Sequence, residues 1–173
     1  LAEKYILSKI YSSDKRVYIL RPCMIHGPGN KGNLNLLYKL ASKGIPWLLG
    51  AFENKRSFLS VENLCFVILQ LLKKLPKSGI YNVADDEAIA TNELIQMIAK
   101  SLHKNPNILS LSPKIIRIAA KLGSICKLPF NSTILQKLTA DYRVSNAKIK
   151  RKLAISKSFS TLSGLEKTLK SFY

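Results

Sequence analysis

Two hydrophobic periods alternate along this chain: short apolar runs of strand length, and longer stretches in which apolar residues recur every three or four positions. Ala2, Tyr5, Ile6 and Ile10 share one face of a helix over the first ten residues. No N-cap residue or initiator Met stands ahead of them, so this helix is expected to continue from a longer chain. Ser12 to Arg16 is a polar break, and Val17 to Leu20 reads as an inner strand whose regular pairing ends at Pro22, which has no N–H. Leu36, Leu37 and Leu40 predict a helix over Asn35 to Ser42, stopped by Gly44 and Pro46. Trp47 to Leu49 and Ser57 to Ser60 are short strand candidates around a turn at Phe52 to Lys55.

Ser60 is suited to cap the next helix, with Leu64, Val67, Ile68, Leu71 and Leu72 as its buried side and Pro76 to Gly79 as its end. Gly79 to Ala84 reads as another buried strand, and Thr91 as the cap of a helix through Ile95, Ile98, Ala99 and Leu102. Three strand-then-helix alternations favour parallel α/β construction over an all-helical or all-β one. Beyond residue 102 the pattern turns helical. Leu109 to Leu111 is a short strand candidate, and Pro113 opens a helix holding Ile115, Ile116, Ile118, Ala119, Ala120 and Leu122. Two further helical stretches lie around Asn146 to Leu153 and Thr161 to Phe172, a smaller layer expected to cap the sheet.

Charge adds partners to this picture. A formal net charge of +18 over 173 residues fits nucleic acid, anionic lipid or phosphorylated substrates, and only Asp141 and Glu166 are acidic after Glu93. Lys148, Lys150, Arg151 and Lys152 form a basic helix face without aromatic interleaving or a docking motif, so nucleic acid is not expected. Cys23, Cys65 and Cys126 are widely spaced in apolar surroundings and are expected to be core thiols, with no metal site or redox pair. Leu64 to Leu72, the strongest apolar run, is nine residues long, too short to span a bilayer. A cytoplasmic protein without a transmembrane segment is expected, with peripheral membrane association left open.

Candidate chemistry gathers between Ile19 and Asn33 and again at Arg56. Arg21 and Pro22 fall at the carboxyl end of a strand, where open parallel sheets collect ligands. There Pro22 presents its carbonyl in a fixed geometry, while Arg21 is equally suited to pair with a carboxylate. Gly27-Pro28-Gly29 lets the backbone turn closely around a neighbour. His26, on this loop, is suited to donate to a sugar hydroxyl or touch a cofactor, or else to be exposed or bonded structurally. Asn33 and Asn35 carry amides fit for a phosphate or a uracil-like edge, or equally for capping a helix. Arg56, after the polar turn at Glu53 to Lys55, can make two hydrogen bonds to a diphosphate or simply sit at the surface.

These segments together resemble a known family. ILRPCMIHGPGNKGNLNLLYKL, GIPWLLG, NKRSFLSVENL and GIYNVADDEAIATNEL resemble, in order and spacing, the C-terminal half of extended short-chain dehydrogenases/reductases of the NAD-dependent nucleotide-sugar epimerase/dehydratase group. The resemblance spans Leu1 to Leu102, more weakly Asp141 to Leu153, and leans to UDP-glucose 4-epimerases of surface-polysaccharide pathways. It implies the last part of a Rossmann-type parallel sheet over residues 1–102, with substrate-binding segments at about 30–60, and a mostly helical substrate-side region over 103–173. The family's catalytic Tyr-x-x-x-Lys would fall just before Leu1, and its glycine-rich NAD loop further upstream, so no catalytic residue is expected here. On the same grounds Pro22, Cys23, Met24 and His26 would lie by the cofactor NAD, while Asn33 and Arg56 would hold the nucleotide-sugar. The implied reaction is 4-epimerisation of a UDP-sugar or a lipid-linked sugar, with 4,6-dehydration or 4-keto-reduction as the alternative and a basic binding module as a remote one. The parent would be an enzyme, compatible with a homodimer, and the fragment alone inactive.

Overall fold

Strands form at three of the predicted apolar runs, those around residues 17–20, 57–60 and 79–84, and the strands divide between two sheets. In a computed structural model, which describes the chain apart from Leu1, Ile10, Ser13, Lys31, Pro129, Tyr173 and the side chain of Asn33, Tyr18–Pro22 (β1) and Gly79–Val83 (β4) pair in parallel. Their register runs from Tyr18 opposite Gly79 to Pro22 opposite Val83. Pro22 is the last rung of that ladder, and the Cys23 N–H still reaches the Val83 carbonyl at 3.1 Å. The chain then changes ladders: Met24–His26 (β2) runs parallel to Lys55–Ser60 (β3), which also pairs antiparallel with Ala88–Ala90 (β5).

Eight helices among the described residues surround these strands: Ala2–Ser8 (α1), Asn33–Ser42 (α2), Val61–Lys74 (α3), Thr91–Ser101 (α4), Pro113–Ile125 (α5), Ser132–Thr139 (α6), Ala147–Lys152 (α7) and Thr161–Lys170 (α8). The architecture is α/β with partly parallel sheets, consistent with a Rossmann-like fold. Ser60 caps α3 as expected, its hydroxyl accepting from the Asn63 N–H at 3.2 Å. Leu75 ends that helix in the left-handed region at φ 43°.

Several expectations are corrected. Thr91 is the first helical residue rather than the cap; it is buried, and its hydroxyl accepts from the buried Asn54 amide at 2.8 Å rather than from an N–H of its own helix. The inward stripe of α3 is Asn63, Val67 and Leu71, leaving Ile68 and Leu72 exposed. Asn63 donates to Asp85 at 2.8 Å, and turning that amide inward rotates its apolar neighbours outward. In α1 no described residue is buried, and Ile10 lies outside the described residues. Trp47 to Leu49 and Leu109 to Leu111 meet through isolated bridges only, Trp47 with Ile108 and Leu49 with Ser110, too few to hold a ladder. Of the cysteines only Cys23 is buried; Cys65 is exposed on α3 and Cys126 is exposed at the C-cap of α5.

Three apolar clusters tie the layers together. Ile149, Leu153 and Phe159 pack with Leu59, Val67 and Val83; Leu165 and Leu169 pack with Phe58 and Ile98; Leu49, Ile116, Ala120 and Leu135 form a third. Each such Leu, Ile or Phe fully removed from water contributes about 1.5–3 kcal/mol, so α7 and α8 are fastened to the strands that carry the candidate residues.

Candidate functional site

The carboxyl ends of β1 to β4 bring Pro22, His26, Ser60 and Val83 to one side, and Asp85 follows two residues after β4. The Asp85 carboxylate accepts from the Ser60 N–H at 3.1 Å and from the Asn63 amide at 2.8 Å, while its own N–H donates to the Phe58 carbonyl at 2.7 Å. His26 is only 2% exposed. Its Nδ1 lies 2.9 Å from the Thr168 hydroxyl, and Nε2 lies 3.8 Å from Asp85 with no hydrogen bond among the described residues. The Thr168 hydroxyl also donates to the Gly164 carbonyl at 3.1 Å, so it links His26 to the backbone of α8. This network fastens β2 and the β3–α3 junction to α8.

Cys23 belongs to the same interior layer. Burial, reinforced by the Asp85 carboxylate, pushes its thiol up to about 12 and keeps it neutral, so it offers no thiolate. Pro22 is exposed and Met24 half-buried. Arg21, the other candidate at this strand end, is engaged with Glu3 of α1, its Nε 2.9 Å from the carboxylate. In the following loop Gly29 takes φ +74°, a value other residues rarely adopt, and the Asn30 N–H closes the turn onto the Gly27 carbonyl at 3.1 Å.

Arg56 projects from β3 into a cavity of about 520 Å³ that it shares with Met24, Trp47, Phe58 and Lys137, as well as leucines of α2. Among the described residues no carboxylate lines this cavity, while two cations do. Burial lowers the pKa of Arg56, yet a guanidinium stays protonated in proteins, and it donates to the Lys137 carbonyl on α6. Along the edge of β3 the Tyr142 N–H donates to the Lys55 carbonyl at 2.9 Å and the Ser57 N–H to the Tyr142 carbonyl at 2.8 Å. Asp141 accepts from the Lys55 N–H at 2.6 Å, with Arg143 3.3 Å from its carboxylate. An arrangement of fixed positive charge over a large apolar wall can hold a diphosphate at one end and a ring or chain at the other.

Of the residues singled out by sequence, Met24 and Arg56 thus share a cavity, Cys23 and His26 form the layer behind it, and Pro22 stands at the strand end. Asn33 opens α2, but its side chain lies outside the described residues. Lys137 and α6 are not expected from the sequence; the signal available is Asn131, whose side chain accepts from the Ile134 N–H at 3.1 Å and caps the helix.

Tyr5 and Lys9 also stand at a Tyr-x-x-x-Lys spacing, Tyr5 within α1 and Lys9 just past its last residue. Both are exposed, with the Lys9 ammonium 4.7 Å from the Tyr5 ring centre. Lys9 neighbours Val17 and Gly79, at the amino ends of β1 and β4. Glu3, by contrast, meets Arg21 near the carboxyl end. Lys9, just past α1, thus lies toward the amino ends of β1 and β4, and neither Tyr5 nor Lys9 lines the candidate cavity.

No family model matches the chain. A UDP-glucose 4-epimerase of Vibrio cholerae is 36% identical over 106 residues, covering 60% of this chain and 32% of the relative. An N-acetyl-alpha-D-glucosaminyl-diphospho-ditrans,octacis-undecaprenol 4-epimerase of Escherichia coli O157:H7 is 28% identical over 141 residues, 80% of this chain and 40% of that protein. Among solved structures, UDP-N-acetylglucosamine 4-epimerase from Bacillus cereus aligns at TM-score 0.61 and 17% identity, over 89% of this chain and 45% of its own. The Bordetella bronchiseptica enzyme WbmG, solved with NAD and UDP, aligns at TM-score 0.67 and 13% identity, over 98% and 47%. The chain spans about a third to two fifths of these curated relatives and just under half of these structures. Together they show the fold of, and homology to, the NAD-dependent nucleotide-sugar epimerase/dehydratase superfamily.

Proposed function

We propose that this chain forms the substrate-side half of an NAD-dependent sugar 4-epimerase, with Arg56 as the diphosphate-holding residue. The observation that carries this reading is the cavity shared by Arg56, Lys137 and Met24, which has cations and an apolar wall but, among the described residues, no carboxylate to compete for them. A diphosphate set against Arg56 receives two charge-assisted hydrogen bonds, and the apolar wall accepts the group attached to it. The Vibrio and Escherichia relatives motivate a uridine diphosphate sugar or a polyprenyl-diphosphate sugar; both carry the diphosphate that Arg56 would hold.

NAD, when bound, would supply reversible hydride transfer at C4 of the sugar. The residues here fit one wall of such a site rather than its cradle: Pro22 is exposed and Met24 half-buried, so both are available to the flat face of a ring, while Cys23 and His26 are buried behind them. The contribution of this chain is to orient the sugar and exclude water, with the proton-transferring Tyr and its Lys supplied by residues outside it. Asn33, at the start of α2, would add an amide toward the sugar.

Calorimetry tests the reading. In the protein that carries this chain, Arg56→Ala is expected to raise the dissociation constant for UDP-glucose or UDP-N-acetylglucosamine about ten- to a hundredfold, the worth of hydrogen bonds to a charged group. Arg56→Lys should recover only part of the loss, because a point charge lacks the planar fork. Unchanged affinity in Arg56→Ala would remove Arg56 from the site. Competition between UDP and a short-chain polyprenyl diphosphate then separates the two substrate classes.

A further inference from the structure

Helix α5 buries a narrow stripe, Ile116, Ala120 and Gly123, and leaves a second apolar stripe in the open. Ile115, Ile118, Leu122 and Ile125 are 56–76% exposed and follow one another at three- and four-residue steps, so they line a single face. Lys114, Arg117 and Lys121 repeat at similar steps along one margin of that face, all exposed and absent from every ion pair among the described residues. No Asp or Glu occurs between Glu93 and Asp141. At 13 residues the helix is about 20 Å long, and no helix among the described residues is long and apolar enough to cross a membrane.

We propose that α5 lies in the surface of an anionic lipid bilayer, its isoleucine and leucine stripe sunk into the acyl boundary and its basic margin set among the headgroups. An in-plane helix needs this division between apolar face and basic flank, and burying Ile and Leu side chains there is favourable by the same transfer energetics as a protein core. Charge decides between occupants. A second copy placed symmetrically on this face would bring two sets of Lys114, Arg117 and Lys121 together in a chain that already carries +18, whereas anionic headgroups complement them. The inference rests on α5 alone and does not depend on the proposed reaction. It has a spatial consequence, because α6, which packs against α5, contributes Ile134, Lys137 and Leu138 to the Arg56 cavity.

The experiment compares the purified protein on vesicles of phosphatidylcholine and of phosphatidylcholine with phosphatidylglycerol, by co-sedimentation at low and high salt. Binding is expected to the anionic vesicles only, weakened by salt. Lys121→Ala should lower partitioning roughly fivefold, the effect of one basic residue at such a surface, while Lys73→Ala on α3 leaves it unchanged. Ile118→Glu with Ile125→Glu should abolish binding without altering the thermal melt, since both positions are exposed. A polarity-sensitive dye on exposed Cys126, in a Cys65→Ser background, should shift to the blue on the same vesicles. A protein that stays in the buffer with both vesicle sets, its α5 face covered by a second copy or another segment, overturns the proposal. Equal losses from Lys121→Ala and Lys73→Ala, which would indicate diffuse charge attraction, overturn it too.

Discussion

Burial separates the three cysteines chemically. Cys23, with its thiol pushed up to about 12, is a neutral core group, whereas Cys65 and Cys126 face solvent. Disulfide-exchange labelling of the folded protein at mildly alkaline pH is expected to score two thiols, and a third only on unfolding; three fast thiols would contradict the packing around Cys23. Asp86 shows the opposite balance. Burial pushes its carboxyl up, but hydrogen bonds from Asn146 and the Phe159 N–H, together with the Lys150 ammonium at 2.9 Å, outweigh burial and leave it below the ordinary carboxylate range. With the folded value below the unfolded one, about 3.9, this contribution to stability is present above the unfolded value and is lost as pH falls through the folded one. Asp86→Asn should cost about 1–3 kcal/mol at neutral pH, and denaturant melts of the two proteins should converge in acid. A gap that stays constant down to strong acid would refute the assignment.

Elements with a strong local signal are legible in the amino-acid pattern itself. Ser60 before a long apolar period marks the start of α3, Pro113 the start of α5, and the run after Gly79 the strand β4. What stays hidden depends on contacts distant in sequence. Asn63 turns α3 by bonding to Asp85, and β5 is only three residues that acquire strand character by pairing with β3. Helix α6 has just eight residues, two of them threonines and one isoleucine, so its intrinsic preference is weak and its packing on α5 decides its form. That packing depends on close approach at Gly123, where an added Cβ would come within 1.9 Å of the Phe130 carbonyl oxygen. Gly123→Ala is therefore expected to lower stability by about 1–3 kcal/mol and to loosen α6 in hydrogen exchange. Wild-type stability in that variant would show that the turn between α5 and α6 yields without cost.

At the scale of the molecule, the candidate site is half legible. Met24 and Arg56 announce themselves by their place near strand ends and polar turns, but Lys137, 81 positions from Arg56, becomes a neighbour only through tertiary structure. The spacing of Tyr5 and Lys9 carries the opposite lesson, since a motif of the right period lies toward the wrong end of β1. The 173 residues by themselves are expected to turn over no sugar nucleotide, checked by NMR of the C4 configuration after prolonged incubation. Appreciable conversion would mean that the chain houses its own acid–base pair. One further consequence follows from the pairing of β3, held along its length by β2, β5 and the Tyr142 segment. A strand clamped on both margins cannot slide, so the backbone under Arg56 acts as a stationary anvil, and adjustment to a ligand falls to the side chains and to the less tightly paired walls of the cavity.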